Sequence, residues 1–307
     1  SPGQLQKMNS TIIDGINEII GNLAKDANIK RDNIYTAVFA GNTTMMHFLL
    51  KLPAYNIALA PFIPVTTKMH IFPATASGVK INKYGRVVFL PCVSSYIGAD
   101  TVAAVLASRM HLDDQLTLLV DIGTNGEIVL GNKEGMYSCS TAAGPAFEGA
   151  LIRNGVSGIS GAIDTVRLVP QFEYTTINNE APIGICGSGL VDVVAEMLHA
   201  GVLEESGRIS EESSVADYLK PRVKEVDGQR AFVLAEKEET KSNFEIAITQ
   251  KDIREMQNAK AAIAAGISIL IDSMGKEPSD IQKVYLAGGF GSYIDINSAL
   301  KIGLFPK

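Results

Sequence analysis

Residues 116–130, LTLLVDIGTNGEIVL, constrain this chain more than any other stretch. An apolar run, LTLLV, leads to Asp121, a GTNG turn follows, and a second apolar run resumes at Ile128. Short apolar runs bounded by turn residues read as strands, so the stretch predicts a hairpin with a glycine-lined tip. Gly123 and Gly126 let the backbone approach a ligand closely, while the amides and hydroxyls of Thr124 and Asn125 can face anionic oxygens. Asp121 ends the first strand beside that tip. Two negative charges there need a metal or water between them, so the pattern predicts a nucleotide phosphate with Mg²⁺, reached from Asp121 through water.

A chain of 307 residues with 46% hydrophobic and 20% charged side chains can bury a large core, and its length suggests two domains. A net charge of −6, with no basic patch, argues against a nucleic-acid backbone or an anionic membrane as main partner. Cys92, Cys139 and Cys186 are far apart and lack the paired spacing of a zinc or iron–sulfur site. They read as small buried hydrophobes in a reduced, cytoplasmic protein. The most apolar helical stretch, 259–271, is too short to span a bilayer, which takes about 20 residues.

In chain order, residues 8–27 carry isoleucine and leucine at helical spacing, and 33–40 read as a buried strand. GNTTMMHFLL at 41–50 predicts a second helix capped by Asn42 or Thr43, with His47 a satisfied, half-buried histidine. Residues 53–76 are proline-rich and irregular; a strand at 86–90 then leads through PCVSSYIGAD to a helix over 101–110. After the hairpin come a third strand at 136–140 and a short helix over TAAGPAFEGALI. Strands follow within 155–170, then a GICGSG turn and a helix over 190–200. The charged stretch 203–244 reads as a solvated, loop-rich accessory hairpin with one strand at 231–235. Thr249 should cap a long helix ending at Gly275, and a buried strand then delivers the LAGGFG turn.

GICGSGLVD is not a serine-hydrolase elbow, because Cys186 and Leu190 occupy the positions where that motif needs glycine. LAGGFG lacks the full glycine spacing of a dinucleotide fingerprint. Its weight comes from combination with the DIGTNGE hairpin and the long helix before it, in the order of a two-lobed phosphate and adenosine clamp.

IGADTVAAVLASRMHLDDQLTLLVDIGTNGEIVL resembles the linking helix and second phosphate hairpin of the ASKHA superfamily, which unites acetate and sugar kinases, heat-shock chaperone ATPases and actin. TAAGPAFEGA is similar to the glycine-acid helix of the chaperones, and QNAKAAIAAG followed by VYLAGGFG to their adenosine site. Together, DIGTNGE, GNTTMMH, APFIPV, ICGSGLVD and LAGGFG resemble one branch, the ATP-dependent reductive activators of corrinoid enzymes. The resemblance implies an α/β fold of two ribonuclease-H-like, actin-like lobes with mixed five-stranded-type sheets flanked by helices. The first lobe would occupy 1–114, with a linking helix at 97–110. The second would occupy 115–307, with an accessory insertion at about 155–248 and an adenosine motif at 284–291. It also implies that the chain is a piece of a longer protein at both ends, since neither the first lobe's opening strand meander nor the second lobe's closing strand is found in it.

Function follows from the same resemblance: ATP-driven return of a Co(II) corrinoid protein to Co(I), with the electron supplied by a two-iron two-sulfur cluster on an N-terminal domain not in this chain. The full protein would be an ATP hydrolase and this part of it weak or inactive alone. Asp121, Gly123, Thr124, Asn125 and Gly126 match the phosphate hairpin. Asp100 matches the acidic position near the attacking water, and Glu148 is a further candidate with a helix-start carboxylate as its plain alternative. Gln257 and Lys260 lie on one face of the long helix within reach of ribose or adenine. Gly288, Gly289 and Gly291 would form the opposing wall, and Phe290 either stacks on adenine or belongs to the core. No role follows for Gly187, Ser188 and Gly189. Partners implied are a corrinoid protein and ATP or ADP, with a homodimer as the consequence of exposed sheet edges. The rival readings are a small-molecule kinase of the same superfamily and a non-catalytic interaction module.

Overall fold

The computed structural model describes residues 2–291 and 293–305. Contacts divide the chain into two compact units, 1–113 and 114–307.

The first unit runs α1 (Pro2–Asp26), β1 (Thr36–Phe39), α2 (Thr43–Leu49), α3 (Tyr55–Ala58), β2 (His70–Pro73), α4 (Ala74–Ser77), β3 (Arg86–Phe89) and α5 (Ala99–Ser108). Its strands pair in the order β1-β3-β2, with β1 parallel and β2 antiparallel to β3. Ile13, Ile16 and Ile20 of α1 join Met46, Val87 and Phe89 in a small core. Two asparagines tie α1 down where a polar face would otherwise be buried unpaired: Asn9 donates to the Phe48 and Leu49 carbonyls, and Asn17 bonds Gly78 O and Lys80 N. Asn42 caps α2 by accepting from Met45 N at 2.9 Å, as its sequence predicts. His47 is fully rather than half buried, and both ring nitrogens are engaged, by Thr43 O at 2.7 Å and Val65 N at 3.0 Å.

The second unit opens with β4 (Thr117–Ile122), β5 (Gly126–Asn132) and β6 (Gly135–Thr141), an antiparallel meander. Then come β7 (Ala162–Arg167), β8 (Glu173–Thr176), β9 (Gly184–Ile185), α6 (Gly187–His199), β10 (Val223–Val226), β11 (Gln229–Ala235), β12 (Ile246–Thr249) and α7 (Gln250–Ser273). β13 (Lys283–Ala287), the single turn α8 (Gly288–Gly291) and α9 (Ile296–Lys301) follow. β13 lies parallel to β4, giving a four-stranded sheet in the order β13-β4-β5-β6. Among the described residues no sheet has the expected five strands: this unit has one four-stranded sheet and two three-stranded ones, and the other unit has one three-stranded sheet. α7 begins with a capping box in which Thr249 and Asp252 satisfy each other's amides, and Gly275 (φ +62°) follows its end. It lies close on β5 and β6 at Gly266, where a β-carbon would come within 2.5 Å of Thr141 Cγ2 and 2.8 Å of Ile128 Cδ1.

Five expectations fail here. Neither β1 nor β13 is a buried strand: within its own unit each is partly uncovered, with Val38 of β1 and Val284 and Tyr285 of β13 exposed. The stretch 203–244 is not a solvated hairpin: β11 is the centre of an antiparallel sheet flanked by β10 and β12, and Phe232, Leu234, Ile246 and Ile248 are fully buried in the same core as Leu118 and Val120. The charged residues that suggested solvent lie mostly in exposed loops on either side of these strands, while the apolar run 231–235 builds the middle of the sheet. TAAGPAFEGALI forms only a 3-10 turn at Pro145–Glu148, bounded by Gly144 (φ +76°) and Gly149 (φ +85°), since both glycines take backbone conformations that end a helix. GSG is helix rather than turn, forming the first residues of α6.

Candidate functional site

β4 and β13 run parallel side by side, and each delivers a glycine-rich turn at its C-terminal end. In open α/β sheets that end is where ligands settle. After β4, the turn Gly123, Thr124, Asn125 closes with Gly123 N donating to Asn125 O at 2.9 Å, and the tip residues Thr124 and Asn125 stand exposed. After β13, Gly288 takes φ +86°, and a β-carbon there would lie 2.7 Å from Asp121 Oδ1 and 3.0 Å from Ile122 O. The second turn therefore passes directly against the Asp121 carboxylate. Asp121 itself is half-buried, opposite Glu127 on β5 and Ala287 on β13.

Glu148 completes this cluster. Its carboxylate accepts from Thr124 Oγ1 at 3.0 and 2.9 Å, one contact to each oxygen. It lies in the single turn of the 3-10 helix Pro145–Glu148, as the acidic residue of its first turn. Thr124, expected to offer its hydroxyl to an anion, gives it to Glu148 instead. An anionic ligand at the tip would have to displace that carboxylate or meet it through a cation.

Behind the tip, Phe290 packs on Phe147 with ring centroids 4.9 Å apart, and a β-carbon at Gly187 would lie 2.0 Å from Phe147 O and 2.8 Å from the Phe290 ring. A β-carbon at Gly189 would lie 2.3 Å from Ile163 O. These two glycines let the start of α6 approach both the 3-10 turn and β7, a packing role that needed the tertiary structure to be seen.

The remaining candidates are more dispersed. Gln257 donates to Ser206 O and accepts from Arg254, so its amide is engaged with the Ser206–Gly207 turn. Lys260, half-buried, sits beside Gly303, whose β-carbon would come within 3.2 Å of its Nζ. Gly126 packs under Ile263 of α7, Gly289 faces open space, and Gly291 lies against Leu286. Asp100 belongs to the first unit, near the start of α5. There GNTT and IGAD converge: Ala99 N donates to Gly41 O at 2.9 Å, and a β-carbon at Gly98 would meet Asn42 Cα and Asp100 Oδ1 at 2.6 Å each.

The donor set decides which groups fit. Among the described residues no cluster of three or more His, Cys, Asp or Glu could hold a metal by itself. Mg²⁺ does not need one, because it commonly binds through one or two carboxylates with waters and substrate phosphates, and Asp121 beside two glycine turns suits that mode. An iron–sulfur cluster needs four cysteine thiolates. Cys92, Cys139 and Cys186 are free and apart, burial pushes the Cys92 and Cys139 thiols up, and Cys139 and Cys186 point at the carbonyls of Gly266 and Ile163. They do not fit a cluster.

The family model for the C-terminal domain of RACo, the ASKHA domain, matches residues 115–307, and that for the RACo middle region matches 1–113. The chain belongs to the RACo family. It is 38% identical over 309 aligned positions to a corrinoid activation enzyme, RamQ, of Eubacterium limosum, covering all of this chain and 52% of the relative. It is 27% identical to a [Co(II) methylated amine-specific corrinoid protein] reductase of Methanosarcina barkeri, over 77% of this chain and 43% of that one. Among solved structures, a reductive activator for a corrinoid, iron–sulfur protein superposes with a TM-score of 0.85 at 38% identity, covering all of this chain and 49% of that one. The chain thus spans about half the length of the relatives it matches. The mixed α/β ASKHA architecture read from the glycine turns is the one present. No helix among the described residues is long and apolar enough to cross a membrane.

Proposed function

We propose that this chain is the nucleotide-binding part of a reductive activator that returns a Co(II) corrinoid protein to Co(I), driven by ATP and Mg²⁺ in the cytoplasm. The observation that carries the nucleotide reading is the convergence of two glycine turns, from the parallel strands β4 and β13, on Asp121. The relatives' names carry the partner reading. The chain would supply lobe 1–114 and lobe 115–307 of an actin-like clamp.

Within it, the backbone of Gly123, Thr124 and Asn125 receives phosphate, and Asp121 meets Mg²⁺ through water. Glu148, released from Thr124 by the arriving phosphate, orients a water, and Asp100 is a separate acidic candidate for that role. Gln257, Lys260 and the Gly288 to Gly291 turn hold the nucleoside. The metal supplies charge neutralisation at the phosphates. Nucleotide acts by binding one lobe arrangement better than another, which is the only way a ligand can shift a conformational equilibrium. The arrangement favoured by ATP would grip the corrinoid protein and ease reduction of its cobalt. The electron would come from a cluster carried outside this chain, because the three thiols here do not fit one.

Calorimetric titration with ATP and Mg²⁺ tests the nucleotide half. Saturable binding that disappears in Asp121→Ala supports it, while no binding leaves the chain as an interaction module. Phosphate transfer from ATP to a metabolite would instead make it a small-molecule kinase. For the partner half, purified corrinoid protein should be retained by the immobilised chain, and no retention with or without nucleotide would sink that claim.

A further inference from the structure

Glu148 lies across the tip of the β4–β5 hairpin. Its carboxylate accepts the Thr124 hydroxyl at 3.0 and 2.9 Å, and a β-carbon at Gly123 would stand 3.8 Å from its Oε1. Asp121 and Glu127, opposite each other on β4 and β5, add two further acids at this end of the hairpin. Among the described residues no lysine, arginine or histidine forms an ion pair with Glu148.

The backbone on either side holds Glu148 in place. Ala146 and Phe147 are buried, with the Phe147 and Phe290 ring centroids 4.9 Å apart. Ala150 N donates back to Pro145 O at 3.1 Å, closing the turn around Glu148. Gly149 takes φ +85° and lies so close to Val156 that a β-carbon on it would come within 2.7 Å of the Val156 nitrogen. Side-chain rotation can therefore release the Thr124 hydroxyl, but the negative charge stays beside the tip. A metal-free triphosphate would meet that carboxylate as charge against like charge, whereas a divalent cation on the phosphates makes the same contact favourable.

We propose that Glu148 makes this turn selective for the metal-bound triphosphate, by keeping a negative charge where metal-free phosphate would sit. The inference rests on the nucleotide reading above and deepens it: backbone amides receive either form, and Glu148 tells them apart.

Calorimetry on the whole chain with adenylyl imidodiphosphate, which is not turned over, measures both affinities, once in excess Mg²⁺ and once in EDTA. The parent should bind the metal complex at least about tenfold more tightly than the free nucleotide. In Glu148→Gln that ratio should fall at least about fivefold, through tighter binding of the free form. Glu134→Gln removes one exposed charge from the β5–β6 turn at the far end of the hairpin, and should leave the ratio as it is in the parent. Circular dichroism melts show that both variants fold, as expected for exposed side chains. An unchanged ratio in folded Glu148→Gln, or an equal fall in Glu134→Gln, overturns the proposal and leaves the nucleotide reading standing. So does a parent that binds both forms equally. A ratio that falls because the metal complex binds more weakly also overturns it, since Glu148 would then be holding the metal. Binding of neither form by the parent ends the nucleotide reading, and this inference with it.

Discussion

At the scale of single residues, the second unit places three carboxylates in different settings, and their chemistry differs accordingly. Asp192 titrates at about 6 instead of its ordinary 3.8. A carboxyl whose folded value is raised favours the fold fully below its unfolded value, and that contribution is lost as the pH rises through the folded value. Asp192→Asn should therefore melt higher than the parent protein at pH 8 and match it near pH 3.5, a comparison that needs only thermal melts across the pH range. Glu148 is exposed and accepts from the Thr124 hydroxyl, so its removal should leave stability within about 0.5 kcal/mol of the parent. Glu148→Gln should keep ATP binding and lose at least tenfold in hydrolysis, read by calorimetry beside phosphate release. At Asp121 the sensitive partner is Gly288: Gly288→Ala puts a methyl 2.7 Å from the carboxylate on a backbone at φ +86°. It should cost about 1–3 kcal/mol in melts and weaken nucleotide binding more than a comparable change at Gly289, which faces open space.

At the scale of elements, α6 and α7 depend on different features. α7 rests on its start, where Thr249 and Asp252 exchange hydrogen bonds and Asp252 also accepts from Arg153 N at 2.8 Å. Thr249→Ala should cost about 1–2 kcal/mol by equilibrium unfolding. α6 has no side-chain cap and rests on close approach: its glycines bring helix backbone to the Phe147 and Ile163 carbonyls. Gly189→Ala should push α6 off β7 and lower the melting temperature more than Thr249→Ala does, because a backbone carbonyl cannot move aside as a flexible side chain can. A smaller effect would show that this contact relaxes. Hydrogen-bonding signals such as Thr249 and Asn42 were legible in the sequence because a cap is local, fixed by residues three or four apart. The glycines of α6 looked like a turn because their partners, Phe147 and Ile163, are remote in sequence.

At the scale of the whole molecule, two units carry cores of very different size. The second unites strands from three sheets with α6 and α7, while the first has a small cluster around Val87, Phe89 and Met46. Tyr35, Val38, Tyr55, Ile63 and Tyr84 of the first unit remain exposed. Burial drives stability, so the first unit should melt at the lower temperature, giving two calorimetric transitions with the larger enthalpy in the second. A single sharp transition would show that the units unfold together.

The sequence by itself determined the hairpin around Asp121, the capped helices, the strand before Gly288 and the family. Each rests on a contiguous pattern: alternation or apolar runs, a cap at fixed spacing, glycine where backbone must turn tightly. Tertiary structure alone decided that Gly288 lies on Asp121, that Thr124 binds Glu148, that 231–235 is core and that Asp192 keeps one oxygen without a donor. These depend on which remote segments meet, and neither residue of such a pair carries a local mark of its partner. Asp192 illustrates the limit. In the sequence it is one acid in a helix of valines, and burial among α9 and β7 is what raises its proton affinity and leaves an oxygen without a donor.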